Sequence, residues 1–459
     1  MKKILPLALF CVSFFGFSQC PTTELLLETQ ADIDNFAANY PNCTVLTNDL
    51  RIGEVNGNVT NLDGLSLITS AQNIHLRHTQ ISDFSGLHNL EEVLILSTEF
   101  SNNIQNLDGL TSLRTMGLLQ IFFSDNIMDL SGMNSIEAIQ NVHIFSNPSL
   151  TDISQLSFLE TINSMNITNN ALASLSGLEN IHTIYEDLSI TNESLINLNE
   201  LSSLQSIGGS LEITNNMFLN DITVFSNIES LEDLYIIRCP SLANFSGLES
   251  IQNISGRLRV GFNPSLTDMS IFSNLNSVGN FDIYDNDNLV SLSGLENLQV
   301  VSNRLFLSRN LSLVSIDAIN DLSFSQVSEI AVVNNTSLSV CNSLFMCSVI
   351  AVPGVVKSVF NNSLGCNTLE EIEDSCALSV TDSFLNQAVV VYPNPVSEVL
   401  KVDVSEEIVL ESIAVSSLLG QQLIISTDGF VNFSSFSQGV YFVEITTDQG
   451  SITKKVLKR

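Results

Sequence analysis

Between residues 48 and 335 the chain repeats one pattern of apolar and polar positions, approximately L-x-I-x-x-N-x-S-L-x-x-L-S-G-L-x-x-I-x-x-I. Aligned on the first position, units begin at Leu50, Ile74, Leu94, Leu119, Val142, Met165, Leu188, Leu211, Leu234, Leu258, Phe281, Leu305 and Ile330. Most of these starts lie 23 or 24 residues apart. Each unit opens with a short alternation that predicts a brief strand with an inner and an outer face. A turn and a second apolar stretch follow, as in Leu175-Ser176-Gly177-Leu178 and Leu292-Ser293-Gly294-Leu295. So short a unit cannot bury its own apolar side. Stacked, about thirteen of them share one continuous core, with their strands aligned in a long parallel sheet.

In this register Leu50, Leu188, Leu211, Leu234 and Leu305 point inward. The middle residue of each L-x-I, and the residue after the Ile, point outward. Read down the stack, those outer columns hold mostly small or charged residues, including Arg51, Asn166, Thr168, Ser189, Thr191, Glu212 and Thr214. One stretch differs. Tyr235, Ile237, Arg259, Asp282, Tyr284 and Phe306 fall on the same outer face and form the candidate ligand-binding patch. Gln120, Phe122, His143 and Phe145 form a smaller second candidate. Asn recurs at the turn after the strand, at positions 147, 170, 192, 216, 263, 286, 310 and 335. Such a column can bond the backbone of neighbouring turns. Cys239 occupies the same column and reads as a buried structural thiol.

The first residues carry an address. Lys2 and Lys3 precede an apolar run from Ile4 to Phe17 that ends at Ser18 and Gln19, the form of a secretory signal peptide over residues 1–19. Lipidation of Cys20 is the alternative, against which Gln19 is large where a lipobox takes Gly or Ala. The run is too short to cross a bilayer, and no transmembrane segment is expected in the mature chain. Export makes disulfides the expected state of Cys20, Cys43, Cys341, Cys347, Cys366 and Cys376. A bridge between Cys20 and Cys43 closes a loop of about 24 residues, worth ~3 kcal/mol in a chain-entropy description. The last four cysteines allow three pairings. Residues 29–40 predict a short amphipathic helix over the first coil, and Thr368 with Glu371 forms a capping box.

After Cys376 the rhythm stops. Residues 377–388 read as a linker, and alternating runs at 399–404, 408–415, 421–425, 439–445 and 452–457 predict a small antiparallel β-sandwich.

Composition narrows the function. The 16 Lys and Arg against 49 Asp and Glu give a net charge of −33, which disfavours nucleic acid as a partner. Only 14% of residues are charged and 44% are hydrophobic, the opposite of a disordered chain. Five His leave little room for a multi-histidine metal site. The chain holds no H-E-x-x-H, G-x-S-x-G, P-loop or dinucleotide motif. His75 and His78 read as sheet residues. Tyr284-Asp285-Asn286-Asp287-Asn288 alternates oxygen ligands but lacks the Gly and final Glu of an EF-hand loop. Thr168, Thr191 and Thr214 read as cross-strand neighbours, not an ice-binding ladder.

Two resemblances complete the reading. The spacing of Leu231, Leu234, Ile236 and Cys239 resembles the leucine-rich repeat, whose turn position accepts Asn or Cys. NCTVLTNDLRI and the repeated units look like receptor L-domain-type solenoids, and residues 361–376 look like a Cys-bearing cap. This resemblance covers roughly residues 43–376. Residues 390–459 strongly resemble the C-terminal sorting domain of the type IX secretion system of Bacteroidetes. The matching residues are Tyr392, Pro393, Asn394, Pro395, the Leu418-Leu419-Gly420-Gln421 motif, Gly439, Tyr441, Lys454 and Lys455. That resemblance implies the type IX secretion machinery as a partner, and passage to the outer-membrane surface or the medium.

The expected architecture is thus mainly β: a signal peptide (1–19), an N-terminal cap (20–47) and a right-handed parallel β solenoid (48–352). A Cys-bearing cap (353–376), a linker (377–388) and a small antiparallel sandwich (389–459) follow. The expected function is recognition or adhesion at the cell surface, binding a protein or glycan without catalysis or cofactor. The rivals are a secreted hydrolase using an unrecognised carboxylate pair and a purely structural surface spacer.

Overall fold

A computed structural model of the chain describes residues 20–54, 58–323, 326–376, 388–405, 408–417 and 421–459. The expected signal peptide, most of the linker, and Leu418, Leu419 and Gly420 of the sorting motif lie outside these residues.

The repeat folds as a stack. One sixteen-stranded sheet runs from Leu25–Leu27 to Val356–Phe360, with each main-path strand hydrogen-bonded to the next. The pairing is parallel, and its register places Leu188 beside Leu211, Leu211 beside Leu234, Leu234 beside Leu258 and Phe281 beside Leu305. Leu50, Leu188, Leu211, Leu234 and Leu305 are fully buried, as the alternation predicts. Short 3-10 turns such as Ser154–Leu156, Asn199–Leu201 and Ser270–Phe272 carry the second apolar stretch, with Leu156, Leu201 and Phe272 buried in the same core.

One unit is shifted from its expected start. Leu96, not Leu94, pairs with Ile74 and Leu119, and Leu94 is 50% exposed. The strand Glu92–Glu99 bends so that two residues, Leu94 and Ile95, separate the buried Val93 from the buried Leu96. The all-apolar run Val93-Leu94-Ile95-Leu96 does not reveal such a bend, because every position fits either face.

The corner after each strand is where the stack is fastened. The residue leaving the strand adopts a left-handed backbone in unit after unit: His78, Phe100, Phe123, Ser146, Asn169, Asn215, Arg238, Phe262, Asp285, Arg309, Asn334 and Asn361 all have φ between 50° and 60°. The next residue is in most units a buried Asn, with Thr79, Ser101, Ser124 and Cys239 in its place at four corners and the half-buried Asn362 at the last. The Asn side-chain oxygen accepts from the backbone N–H of the equivalent residue one unit earlier. Asn147 takes Ser124, Asn170 takes Asn147, Asn192 takes Asn170 and Asn216 takes Asn192, at 2.9–3.1 Å. Its Nδ2 donates to a strand carbonyl of the preceding unit, Ile190 for Asn216 at 2.9 Å and Ile236 for Asn263 at 2.8 Å. Cys239 fills one of the positions where Asn is missing. Its Sγ donates weakly to the Ile213 carbonyl at 3.5 Å, and burial pushes the thiol up to about 11.

Disulfides sit at both ends. Cys20 pairs with Cys43, Cys341 with Cys366 and Cys347 with Cys376, which chooses one of the three possible pairings of the last four. The Cys20 sulfur is thus engaged in a bridge to the first coil. Over the first coil, Gln30–Asp34 and Phe36–Asn39 are helical, capped by a reciprocal Thr29–Asp32 box and burying Ile33 and Phe36. Near the other end Thr368 Oγ1 accepts from Glu371 N–H, while the Glu371 carboxylate turns to Gly365 and Asn367 N–H.

Residues 389–459 form two antiparallel sheets of three and four strands around their own core, which includes Leu400, Val402, Ile413, Val415, Phe433, Val443 and Val456. Asn394 ties the leading segment to the last strand, accepting from Leu457 N–H and donating to the Lys455 carbonyl, both at 2.9 Å. Tyr392 bonds Asp403 and Lys401, and Tyr441, largely buried, donates to the Ser437 carbonyl. Gly439, Lys454 and Lys455 lie on the paired strands Gly439–Thr447 and Gly450–Lys458.

Two substitutions test this packing. Leu211→Ala should lower unfolding free energy by about 2–5 kcal/mol by leaving a cavity in the core. Asn216→Ala deprives Asn192 N–H and the Ile190 carbonyl of their partner, and should cost about 1–3 kcal/mol per orphaned group. Denaturant unfolding of the purified variants reads both.

Candidate ligand-binding face

The outer face between Leu234 and Val333 departs from the rest of the sheet in composition and geometry. Three outward columns run across it. The first holds Arg257, Asn280, Arg304 and Glu329; the second Tyr235, Arg259, Asp282, Phe306 and Ala331; the third Ile237, Gly261, Tyr284, Ser308 and Val333. All six residues expected from the sequence lie in the second and third columns. Tyr235, Ile237, Arg259, Tyr284 and Phe306 are half-buried.

Asp282 corrects the expectation of an accessible acid: it is only 2% exposed. Three guanidinium groups cover it. Arg259 Nη2 reaches Oδ2 at 3.3 Å, Arg257 Nε approaches Oδ2 at 3.7 Å, and Arg304 Nε approaches Oδ1 at 3.8 Å. Arg304 also pairs with Glu329 at 3.5 Å. A carboxylate this buried is tolerable only because opposite charge surrounds it. Its consequence is positional: it holds the three arginines together.

The aromatic rings are placed by what lies under and beside them. The Tyr284 ring lies against Gly261, where an added Cβ would meet ring carbons at 2.5 Å. Phe262 meets Tyr284 edge to face with centroids 5.5 Å apart, and Tyr284 is tilted against Phe306 at 6.4 Å. Arg304 sits over the Phe306 ring at 4.3 Å and Arg238 over Phe262 at 4.9 Å. Tyr235 donates its hydroxyl to Asp233 at 3.0 Å. Burial raises the Tyr235 and Tyr284 hydroxyls above the ordinary phenol range, Asp233 adding to the effect at Tyr235.

Arg257, Arg304, Arg238 and Phe262 escaped the sequence reading. Beside the two outward columns after the inward Leu, a third lies one residue before it and carries Arg257 and Arg304. The left-handed corner carries Arg238 and Phe262. The alternation R-L-R-V at 257–260 and R-L-F-L at 304–307 contains the signal for the third column.

The second candidate packs largely on itself. Phe122 and Phe145 meet edge to face, Phe123 and Phe145 likewise, and His78, Phe100 and Phe123 stack with centroids 4.9 Å apart. Gln120 and His143 are half-buried, and His143 Nε2 lies 3.1 Å from Ser164 Oγ. Three bulky Phe side chains, at 100, 123 and 262, occupy left-handed backbone that Asn or Gly adopts more readily. Aromatic pairing, worth about 0.5–1.5 kcal/mol per contact, offsets part of that strain.

Elsewhere the remaining sequence features are engaged. His75 lines a shallow cavity of about 210 Å³ with Glu24, Asp49, Arg51, Glu54, Arg77 and Glu99. Its arginines are paired, Arg51 with Glu24 and Glu54 and Arg77 with Glu99. In the Tyr284–Asn288 run, Asp285 is held bidentate by Arg309, Asn286 belongs to the corner ladder, and Asn288 donates to the Pro264 carbonyl. The threonine column is not an open surface: Thr191 and Thr214 are buried and bond each other at 2.8 Å.

A family model described as a secretion system C-terminal sorting domain matches residues 390–459. These residues are that domain, and the chain is delivered by type IX secretion to the cell surface or the medium. No helix among the described residues is long and apolar enough to cross a membrane. Among solved structures, an internalin from Listeria monocytogenes aligns at 18% identity and TM-score 0.36, over 66% of this chain and 88% of its own. TLR13, in a complex with ssRNA13, aligns at 17% identity and TM-score 0.39, over 73% of this chain and 57% of that one. No curated protein matches the chain.

His143 supplies a pH test of this face. Burial lowers its pKa below 6.5, with Glu186 opposing. The unfolded state therefore takes up a proton first as pH falls through 6.5, and this part of the stability is lost on the acid side. Between pH 7.5 and 5.5 the Tm of His143→Gln should fall less than that of the unaltered protein.

Proposed function

We propose that the protein is a recognition or adhesion protein of the cell exterior, which binds a macromolecule, protein or glycan, through the outer sheet face around Tyr235, Ile237, Arg259, Tyr284 and Phe306, without catalysis. One observation carries this reading. Half-exposed aromatic rings and arginines gather across four adjacent strands, although the fold requires only small or polar residues there. Arg and Tyr are the residues that concentrate binding energy at interfaces. With neighbouring strands ~4.8 Å apart, the patch is about 15 Å across, wide enough for several sugar units or a peptide loop. Delivery outside the cell gives such a face access to extracellular partners.

Two experiments bear on it. Tyr235→Ala combined with Phe306→Ala should abolish at least nine-tenths of binding to ligands captured on glycan and extracellular-protein arrays. Unchanged binding would move the site elsewhere. Deletion of residues 390–459 should leave the remaining chain in the periplasm, measured by fractionation; surface delivery of the truncated chain would remove the export role of that segment.

A further inference from the structure

Basic side chains are scarce and unevenly placed. The chain has nine arginines, and five of them, at 238, 257, 259, 304 and 309, fall within this one face and its corner. No Lys or Arg occurs between Arg114 and Arg238, nor between Arg309 and Lys357. On a protein of net charge −33 this is where the solenoid least repels an anion.

The arginines are not all spent on neighbouring acids. Arg309 is fully engaged by Asp285, through Nε at 2.6 Å and Nη2 at 2.5 Å. Arg304 divides itself between Asp282 and Glu329. Arg257 and Arg259, by contrast, share the single Asp282 carboxylate. Asp233 accepts from the Tyr235 hydroxyl and from the Arg257 backbone N–H. Asp282 Oδ1 is buried without a hydrogen-bond donor, and the Nε–H groups of Arg257, Arg259 and Arg304 are buried without an acceptor at hydrogen-bond distance. The three guanidinium groups thus converge, anchored from below and one-third or more exposed above, and carry one positive charge more than their ion-pair partners Asp282 and Glu329 neutralise. Such a cluster is a seat for a carboxylate or sulfate.

Beside it lies the Tyr284 ring, resting on Gly261. Gly261 has no side chain to lift the ring, so one ring face is applied to the sheet. An aromatic face of this kind packs against the C–H face of a pyranose. Successive units of a polysaccharide advance by about 5 Å, close to the strand spacing, so a glycan lying along the stack meets equivalent positions strand after strand. An extended peptide lacks its usual means of attachment here, because these interior strands have their backbone groups paired on both sides.

The geometry points to a binding subsite for an anionic polysaccharide, in which Tyr284 carries a sugar ring and Arg257, Arg259 and Arg304 hold its acid group. This rests on the recognition reading above and narrows its ligand.

The test uses the full chain and four immobilised polymers: polygalacturonate (carboxylate), dextran sulfate (sulfate), neutral dextran and polyglutamate. The expected result is binding to polygalacturonate, dextran sulfate or both at least tenfold tighter than to dextran and polyglutamate. Arg259→Ala and Tyr284→Ala should each weaken it at least tenfold. Gly261→Val, which displaces the ring and leaves every arginine in place, should do the same. Thermal melts of each variant separate lost binding from lost folding; if Gly261→Val unfolds the chain, Tyr284→Ala decides. The polymer preferred distinguishes carboxylate from sulfate. Binding to polyglutamate as tight as to either anionic glycan, no binding to either glycan, or binding indifferent to Tyr284→Ala overturns the proposal. If the anionic glycans fail but an array ligand is lost with Tyr235→Ala and Phe306→Ala, only this narrower inference falls. If no ligand depends on the face, both readings fall.

Discussion

A buried corner with unpaired backbone amides is the problem that the stack must solve at every turn. The strand ends in a left-handed residue, and the next N–H points into the interior, away from water. An orphaned amide there costs about 1–3 kcal/mol, and the corner recurs in each unit. The Asn side chain answers it in both directions, accepting from the preceding corner and donating to a strand carbonyl before it. Because each bond crosses from one unit to the next, corner spacing and strand register are set together. Every outward column inherits its alignment from that ladder.

That inheritance gives the outer face its character. In a stack locked in register, side chains one unit apart become neighbours, so isolated residues at 23- or 24-residue intervals turn into surfaces. Arg259, Asp282 and Phe306 are distant in the chain and adjacent on the sheet. The same logic lets one acid gather three arginines and lets a glycine on one strand seat a tyrosine from the next. It also explains why bulky Phe is tolerated in left-handed corners: its neighbour in the column is often another ring, and the contact offsets strain.

The ends of the stack obey a different requirement. An array whose core is continuous exposes apolar surface wherever it stops. At the start, helical turns carrying Ile33 and Phe36 lie over the first coil beside the Cys20–Cys43 bridge. At the finish, Leu344–Ile350 and the Cys341–Cys366 and Cys347–Cys376 bridges do the same. The strands Leu25–Leu27 and Val356–Phe360 extend the sheet into both of these end segments. The sorting domain is built otherwise, with its own core and antiparallel pairing, and Asn394 closes its first segment onto its last strand.

The repeat, the inward leucines, the Asn column and the sorting motif were all legible in the linear sequence, because each depends on spacing within one or two units. Six cysteines could be marked for disulfides, and two aromatic outer patches could be located, for the same reason. What needed the fold was every property created by contact across units. The pairing of the last four cysteines depends on which come within bonding distance. The slip from Leu94 to Leu96 depends on a bend that an all-apolar run conceals. Asp282 lies in an outward column, and only the convergence of Arg257, Arg259 and Arg304 buries it. Periodicity is a property of the chain and can be read along it. Burial of a charge and the seat of a ring are set by neighbours some 23 residues away, and these become neighbours only when the stack closes.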